Sequence, residues 1–244
     1  MLIRGVRMDR RRRKIIDTIA NVAIIVTIVT VSLVAFSYNT EYTMGIGHDK
    51  PIYQGDRDTN KVTIMFNVYW GTEYIDGILD VLDRYNVKTT FFIGGSWAEK
   101  NVDVLREIYA RGHEIGNHGY FHKDQDKLDY IHNMHEIEPN NLLIEGIIGV
   151  KPRLFAPPSG AYNSNTLKAS EDNGMYTIMW SRDTIDWRDK DVALIKKRAT
   201  DGVKGGELIL AHPTKCTLDA LPSILEYYVC NGLECVSVSK NVGL

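Results

Sequence analysis

Cysteine is scarce in this chain, and what there is stands late: Cys216, Cys230 and Cys235, an odd number with no CxxC spacing. That excludes a disulfide framework or a thiolate metal cage, both of which need cysteines in sets. A Cys230 to Cys235 bridge is the one conceivable pairing, and all three read as incidental. An excess of either charge is also lacking. Lys and Arg number 29 against 31 Asp and Glu over 244 residues, so the chain gives no electrostatic reason to expect nucleic acid as a partner. Internal repeats and low-complexity tracts are absent too. With 44% hydrophobic and 25% charged residues, the composition is that of one globular domain of ordinary size plus a short extra segment.

The average hides one end. Arg4, Arg7, Arg10 to Arg13 and Lys14 precede a run from Thr18 to Thr40 without a single charged side chain. About 20 apolar residues at 1.5 Å rise span the roughly 30 Å hydrocarbon core, and a basic flank stays on the cytoplasmic side. Residues 1–14 therefore read as a basic cytoplasmic segment and 15–40 as a transmembrane signal-anchor. The expected partner there is the lipid bilayer, and the expected location is the cell membrane, single-pass, with the carboxyl-terminal domain outside. The apolar core is long for a removed signal and no small-residue cleavage site follows it, so an uncleaved anchor is favoured. A buried core helix would show a polar face, which this run lacks. Residues 41–60 are polar and aperiodic and read as an extracellular linker.

From Lys61 onward, β-rich runs alternate with helical patterns. VTIMFNV (62–68) is followed by Ile75, Ile78, Leu79 and Leu82 at helical spacing, then by KTTFFIG (88–94). A second helix carries Val102, Leu105, Ile108 and Tyr109, with Gly112 just past its end where a left-handed residue is wanted. HEIGN (113–117), RLFA (153–156), YTIMW (176–180), ELILAH (207–212) and ECVSV (234–238) read as further strands. Strands alternating with helices argue for parallel pairing, and about seven units suggest a small, irregular α/β barrel over 61–244. In such folds chemistry gathers on loops after the carboxyl ends of strands. Pro139 marks an interruption of the helical stretch 126–147.

Three strand-end segments carry candidate chemistry. After 113–117 come His118 and His122, four apart; if that loop turns helically, both imidazoles share a face and, with a carboxylate from elsewhere, form a three-ligand divalent site open to water. His132 and His135 read as a chance surface pair. The run Ile209-Leu210-Ala211 ends in His212, whose near-neutral titration suits a proton donor with a carboxylate partner. Ser181-Arg182-Asp183-Thr184-Ile185-Asp186-Trp187 holds two acids and an indole, a set common in sugar sites. Each segment alone is equally compatible with an ordinary core or loop role.

Together, and in this order, the segments resemble the polysaccharide deacetylase family, also called the NodB-homology domain or carbohydrate esterase family 4, over about residues 61 to 240. GHEIGNHGYFH, FAPPSGAYN, DTIDW and ILAHP look like its second to fifth motifs, and KTTFFIGG like its second strand. The resemblance implies a distorted (β/α) barrel and hydrolysis of N-acetyl groups on acetylated amino-sugar polysaccharide of the cell wall, peptidoglycan or chitin-like, with water activated by a divalent metal (zinc or similar). By the same resemblance His118 and His122 match metal ligands, His212 the catalytic acid and Asp186 its partner. Trp187, Tyr120, Pro158 and Asp183 would line the sugar groove.

The first motif departs. The family's Thr-Phe-Asp-Asp-Gly, holding the base and then a metal ligand, is met here by Met65-Phe66-Asn67-Val68-Tyr69. Asn67, at the base position, cannot take a proton, and Val68 cannot bind a cation. The Arg that orients the base in the third motif is replaced by Ala156, a coherent loss, since an Arg without its anion would be an unpaired charge. The stretch Asn-Val-x-Trp-Gly is similar to a variant branch of the family. Glu73 or Asp183 could supply the missing carboxylate. Three expectations follow: a slow membrane-tethered deacetylase, a catalytically inactive glycan-binding member, or an unrelated scaffold on the outer face.

Overall fold

The computed structural model describes residues 16, 19–30 and 49–244. The chain divides into two units, residues 1–46 and 47–244. In the first, residues 19–30 are helical with exposed side chains, and Thr27 Oγ1 donates to the Ala23 carbonyl at 2.8 Å. The basic segment 1–14 and much of the expected anchor lie outside the described residues, and among those described no helix is long and apolar enough to cross a membrane.

The second unit is built on parallel strands: β1 (Lys61–Val68), β2 (Thr90–Ile93), β3 (Glu114–Asn117), β4 (Leu154–Phe155), β5 (Tyr176–Thr177), β6 (Arg182–Asp183), β7 (Leu208–Ala211) and β8 (Glu234–Cys235). They lie in the order β5-β4-β3-β2-β1-β7-β6, with β8 beside the start of β1. β1 is central and its last seven residues are buried, which is why it reads as a continuous apolar run. The helices are α1 (Ile75–Arg84), α2 (Gly95–Ala98), α3 (Val102–Ala110), α4 (Tyr130–Ile148), α5 (Ser164–Asp172), α6 (Val192–Thr200), α7 (Lys215–Cys230) and α8 (Val238–Val242). Those of one face pack with Val62, Ile64, Phe66 and Val68 of β1 in a single apolar cluster. Gly112 adopts φ +83° past the end of α3, as expected. All three cysteines are free.

The expected barrel is a curled half-barrel, because its edge strands β5 and β6 do not pair with each other. Residues that the sequence assigns to the linker instead join β5 to the residues just before β7. The Ile52 amide donates to the Thr177 carbonyl, the Met179 amide donates to the Ile52 carbonyl, and the Gly55 amide donates to the Gly206 carbonyl, at 2.7–2.8 Å. Ile52 is buried. Polar composition conceals this because backbone groups make the join.

Pro139 does not interrupt α4, which runs unbroken over 19 residues. Proline removes one backbone donor, and helices tolerate that where packing compensates. The buried face of α4 is largely polar, with Asn133, Glu136, Asn140 and Asn141 beside Ile137 and Ile144.

Candidate functional site

Parallel strands bring their carboxyl ends to one rim, where a cavity of about 300 Å³ is lined by Asn67, Tyr69, His118, His122, Ser159, Trp180, Asp183, Trp187, Leu210 and His212. The three segments singled out in the sequence therefore converge, although they are up to 94 positions apart, from His118 to His212.

The histidine loop is held from below by α4. Asn140 Nδ2 donates to the Ile93 and Gly119 carbonyls and to Asn117 Oδ1, at 2.8–3.0 Å. Asn117 Oδ1 also accepts the Gly119 amide at 2.8 Å, while Asn117 Nδ2 donates to Asn141 Oδ1 at 2.7 Å. Buried Glu136 accepts the Phe121 amide at 2.8 Å. The loop is not helical: Gly119 and His122 take φ +73° and +56°. The two rings still meet, with centroids 5.1 Å apart and planes at 71°. His118 Nδ1 lies 2.8 Å from the Ala156 carbonyl. A carbonyl only accepts, so Nδ1 carries the hydrogen and Nε2 is left as the acceptor. Burial, then the neighbouring His122, pushes the His118 imidazole down to about 3, and burial lowers His122 as well.

On the opposite side, Asp186 is buried and accepts three donors. His212 Nδ1 lies 2.8 Å from Oδ1 and the His212 amide 2.7 Å from Oδ2. The Thr217 hydroxyl also donates to Oδ2. This places His212 beside the partner expected for it, with Nε2 free. Asp183 is half-buried at the cavity wall; one oxygen accepts the Ile185 amide at 2.7 Å, and burial raises its carboxyl above the usual range. Ile185, like His122 and Ser159, is a non-glycine residue with φ near +55°, so backbone strain gathers around this cavity.

The end of β1 offers these groups no charge. Asn67 is 2% exposed and its Oδ1 has no hydrogen-bond partner. Val68 is fully buried in the apolar cluster. The Tyr69 ring stacks on His122 with centroids 3.5 Å apart, Trp70 stands edge-on to Tyr69 at 4.2 Å, and Trp70 stacks on His212 at 5.1 Å. Rings thus run in contact from one histidine side to the other.

The expected divalent ion does not fit these residues. Among the described residues no group of three His, Cys, Asp or Glu side chains is gathered to hold one. Glu73, a proposed substitute, accepts the Thr72 amide at 3.0 Å and lines a neighbouring cavity with Trp70 and Lys190. Asp183 shares the cavity but does not join the His118 and His122 pair. Two imidazoles without an anionic partner make a weak, incomplete set for a divalent ion.

Trp187 lines the cavity and is 56% exposed. Tyr120 does not line it; its ring lies against Gly95, where a β-carbon would come within 2.6 Å. Pro158 is buried against Gly119 of the histidine loop, and its neighbour Ser159 lines the cavity instead. His132 and His135 are exposed on α4, as expected of a surface pair. Sequence reasoning missed Tyr69, Trp70, Trp180 and Leu210. The signal was available for the first three, which stand directly at or after strand ends.

The sequence profile of the polysaccharide deacetylase family matches residues 54–178, just over half of the chain. An uncharacterised Bacillus subtilis protein, YlxY, is 39% identical over 176 residues, which cover 72% of this chain and 55% of that one; the chain thus spans about half the length of that relative. A peptidoglycan-N-acetylglucosamine deacetylase of Bacillus cereus is 29% identical, covering 76% of this chain and 70% of its own. Among solved structures, BA3943 of Bacillus anthracis, a CE4 family pseudoenzyme, superposes with a TM-score of 0.78 at 32% identity, covering 80% of this chain and 69% of that one. A mutant of BA3943 with restored enzymatic activity gives 0.78 at 31%, over 80% and 71%.

Proposed function

The chain belongs to the polysaccharide deacetylase family, and on that premise we propose that it is a catalytically inactive member that binds amino-sugar polysaccharide of the cell wall without hydrolysing it. The observation that carries this reading is the end of β1. Where the family resemblance calls for a base, a metal ligand and a glycine, this chain has an uncharged amide, a buried isopropyl group and a ring stacked on His122. An amide cannot accept a proton near neutral pH. The likeness to a pseudoenzyme of the same family supports the reading. The cavity itself persists, walled by Trp180, Trp187 and Tyr69, the kind of surface on which sugar rings pack. We further propose that the uncharged run 18–40 and its basic flank hold this domain on the outer face of the cell membrane.

Hydrolysis is the second reading, favoured by the intact His212 and Asp186 pair. Acetate release from chitooligosaccharide and peptidoglycan, with zinc supplied to the full-length chain in detergent, separates the two. We expect saccharide binding with acetate no higher than in His118→Ala. Asn67→Asp alone should stay at that background, and Asn67→Asp with Val68→Asp should exceed it by about 10² or more. Acetate release by the unaltered chain that His118→Ala abolishes would overturn the proposal.

A further inference from the structure

The balance of charge and hydrogen-bonding atoms in the cavity says which chemical state of an amino sugar it suits. No Lys or Arg lines it, and Asp183 is its one carboxylate. Among the described residues no basic side chain pairs with Asp183. The two guanidinium groups whose charge reaches it are committed elsewhere, Arg198 to the Thr184 carbonyl at 2.8 Å and to Asp189 at 2.6 Å, and Arg188 to Asp189 at 2.9 Å. A half-buried carboxylate without a cation is costly to maintain in isolation.

Two of the cavity's imidazoles are weighted the same way. His118 has spent its N–H on the Ala156 carbonyl, and His212 directs its Nδ1 at Asp186. Beside these acceptors stand the rings of Trp180 and Trp187, with the Tyr69 ring stacked on His122.

An acetamide brings one donor, one acceptor that needs a donor or an electrophile, and a methyl group. An ammonium brings three donors and a positive charge. Acceptors, one carboxylate without a paired base and two indole rings match the second, by charge-assisted hydrogen bonding and by attraction of a cation to aromatic rings. Resting on the glycan-binding reading above, we propose that this cavity recognises the free amino group of a de-N-acetylated amino sugar in preference to the acetylated one. The chain would then report where acetyl groups have already been removed, and a deacetylation reaction elsewhere must supply its ligand.

The test titrates the full-length chain in detergent by calorimetry with three linear tetramers, of glucosamine, N-acetylglucosamine and glucose. The glucosamine tetramer should bind at least about tenfold tighter than the other two. Tetralysine, a polycation without a sugar, should not compete. Asp183→Asn should remove the advantage, bringing the glucosamine tetramer to the affinity of the glucose tetramer in the same variant. If the N-acetylglucosamine tetramer binds as tightly or more so, the amine preference is overturned and the glycan-binding reading stands. If tetralysine competes equally, or the preference survives Asp183→Asn, general surface charge accounts for it and the proposal fails. Binding of none of the three sinks the glycan-binding reading itself.

Discussion

The two sides of the cavity have had different fates. On one side Asp186 is enclosed by the His212 ring, the His212 amide and the Thr217 hydroxyl, so its charge is answered entirely from within the protein. On the other, the end of β1 carries an unpartnered amide, an apolar side chain and a stacked ring. A carboxylate at 67 or 68 would have depended on an ion or an orienting Arg, and Ala156 stands where the resemblance places that Arg. Charges that need an external partner are the expensive ones to bury. The half that answers its own charge carries one, and the half with nothing to answer a charge is neutral. Preservation of His212 and Asp186 is thus a statement about internal hydrogen bonding before it is one about catalysis.

The contrast breaks most visibly at Asp186. Asp186→Ala orphans two donors and an imidazole in a buried setting, and should destabilise the fold by about 3–5 kcal/mol in chemical denaturation. Asn67→Ala removes an amide with no partner and should cost under about 1 kcal/mol beyond its lost packing. Equal costs for the two would show that the halves do not differ as described.

What could be read in advance followed from burial. β1, β2 and β7 are buried along their lengths, so their apolar runs announce them, and the strand-end rule then finds His118, His122, His212, Asp183 and Asp186 before any coordinates. β6 was invisible because its two residues, Arg182 and Asp183, are charged and half-buried and carry no apolar signal. The join at 52–55 was invisible because backbone atoms make it. Tyr120 misled because its type suits a groove, whereas its direction is set by the open space over Gly95. The polar inner face of α4 defeats helical-period reasoning for a related cause: its buried side chains are chosen to hydrogen-bond the histidine loop, not to pack apolar surface.

That support gives the intermediate effect. Asn140→Ala removes the donor shared by the Ile93 and Gly119 carbonyls and Asn117, and should cost about 1–3 kcal/mol. Faster hydrogen exchange should appear at Gly119 and His118, with the amide of His212 unaffected. Exchange rising equally at His212 would mean that the two sides unfold as one unit.

The smallest effect on stability, and the sharpest on location, comes from two exposed rings. Trp187 is 56% exposed beside the Asp186 side, and Phe121 is 60% exposed beside the histidine loop. Each has a basic side chain over it, Arg188 at 5.9 Å and Lys123 at 5.5 Å. Truncating either to Ala should change stability by no more than about 0.5 kcal/mol, as for other surface positions. Only Trp187 lines the cavity. Trp187→Ala should therefore weaken saccharide binding by roughly tenfold, the scale of one lost ring contact, while Phe121→Ala leaves it alone. The reverse result in the same calorimetric titration would move the bound glycan onto the histidine loop and away from the Asp186 side.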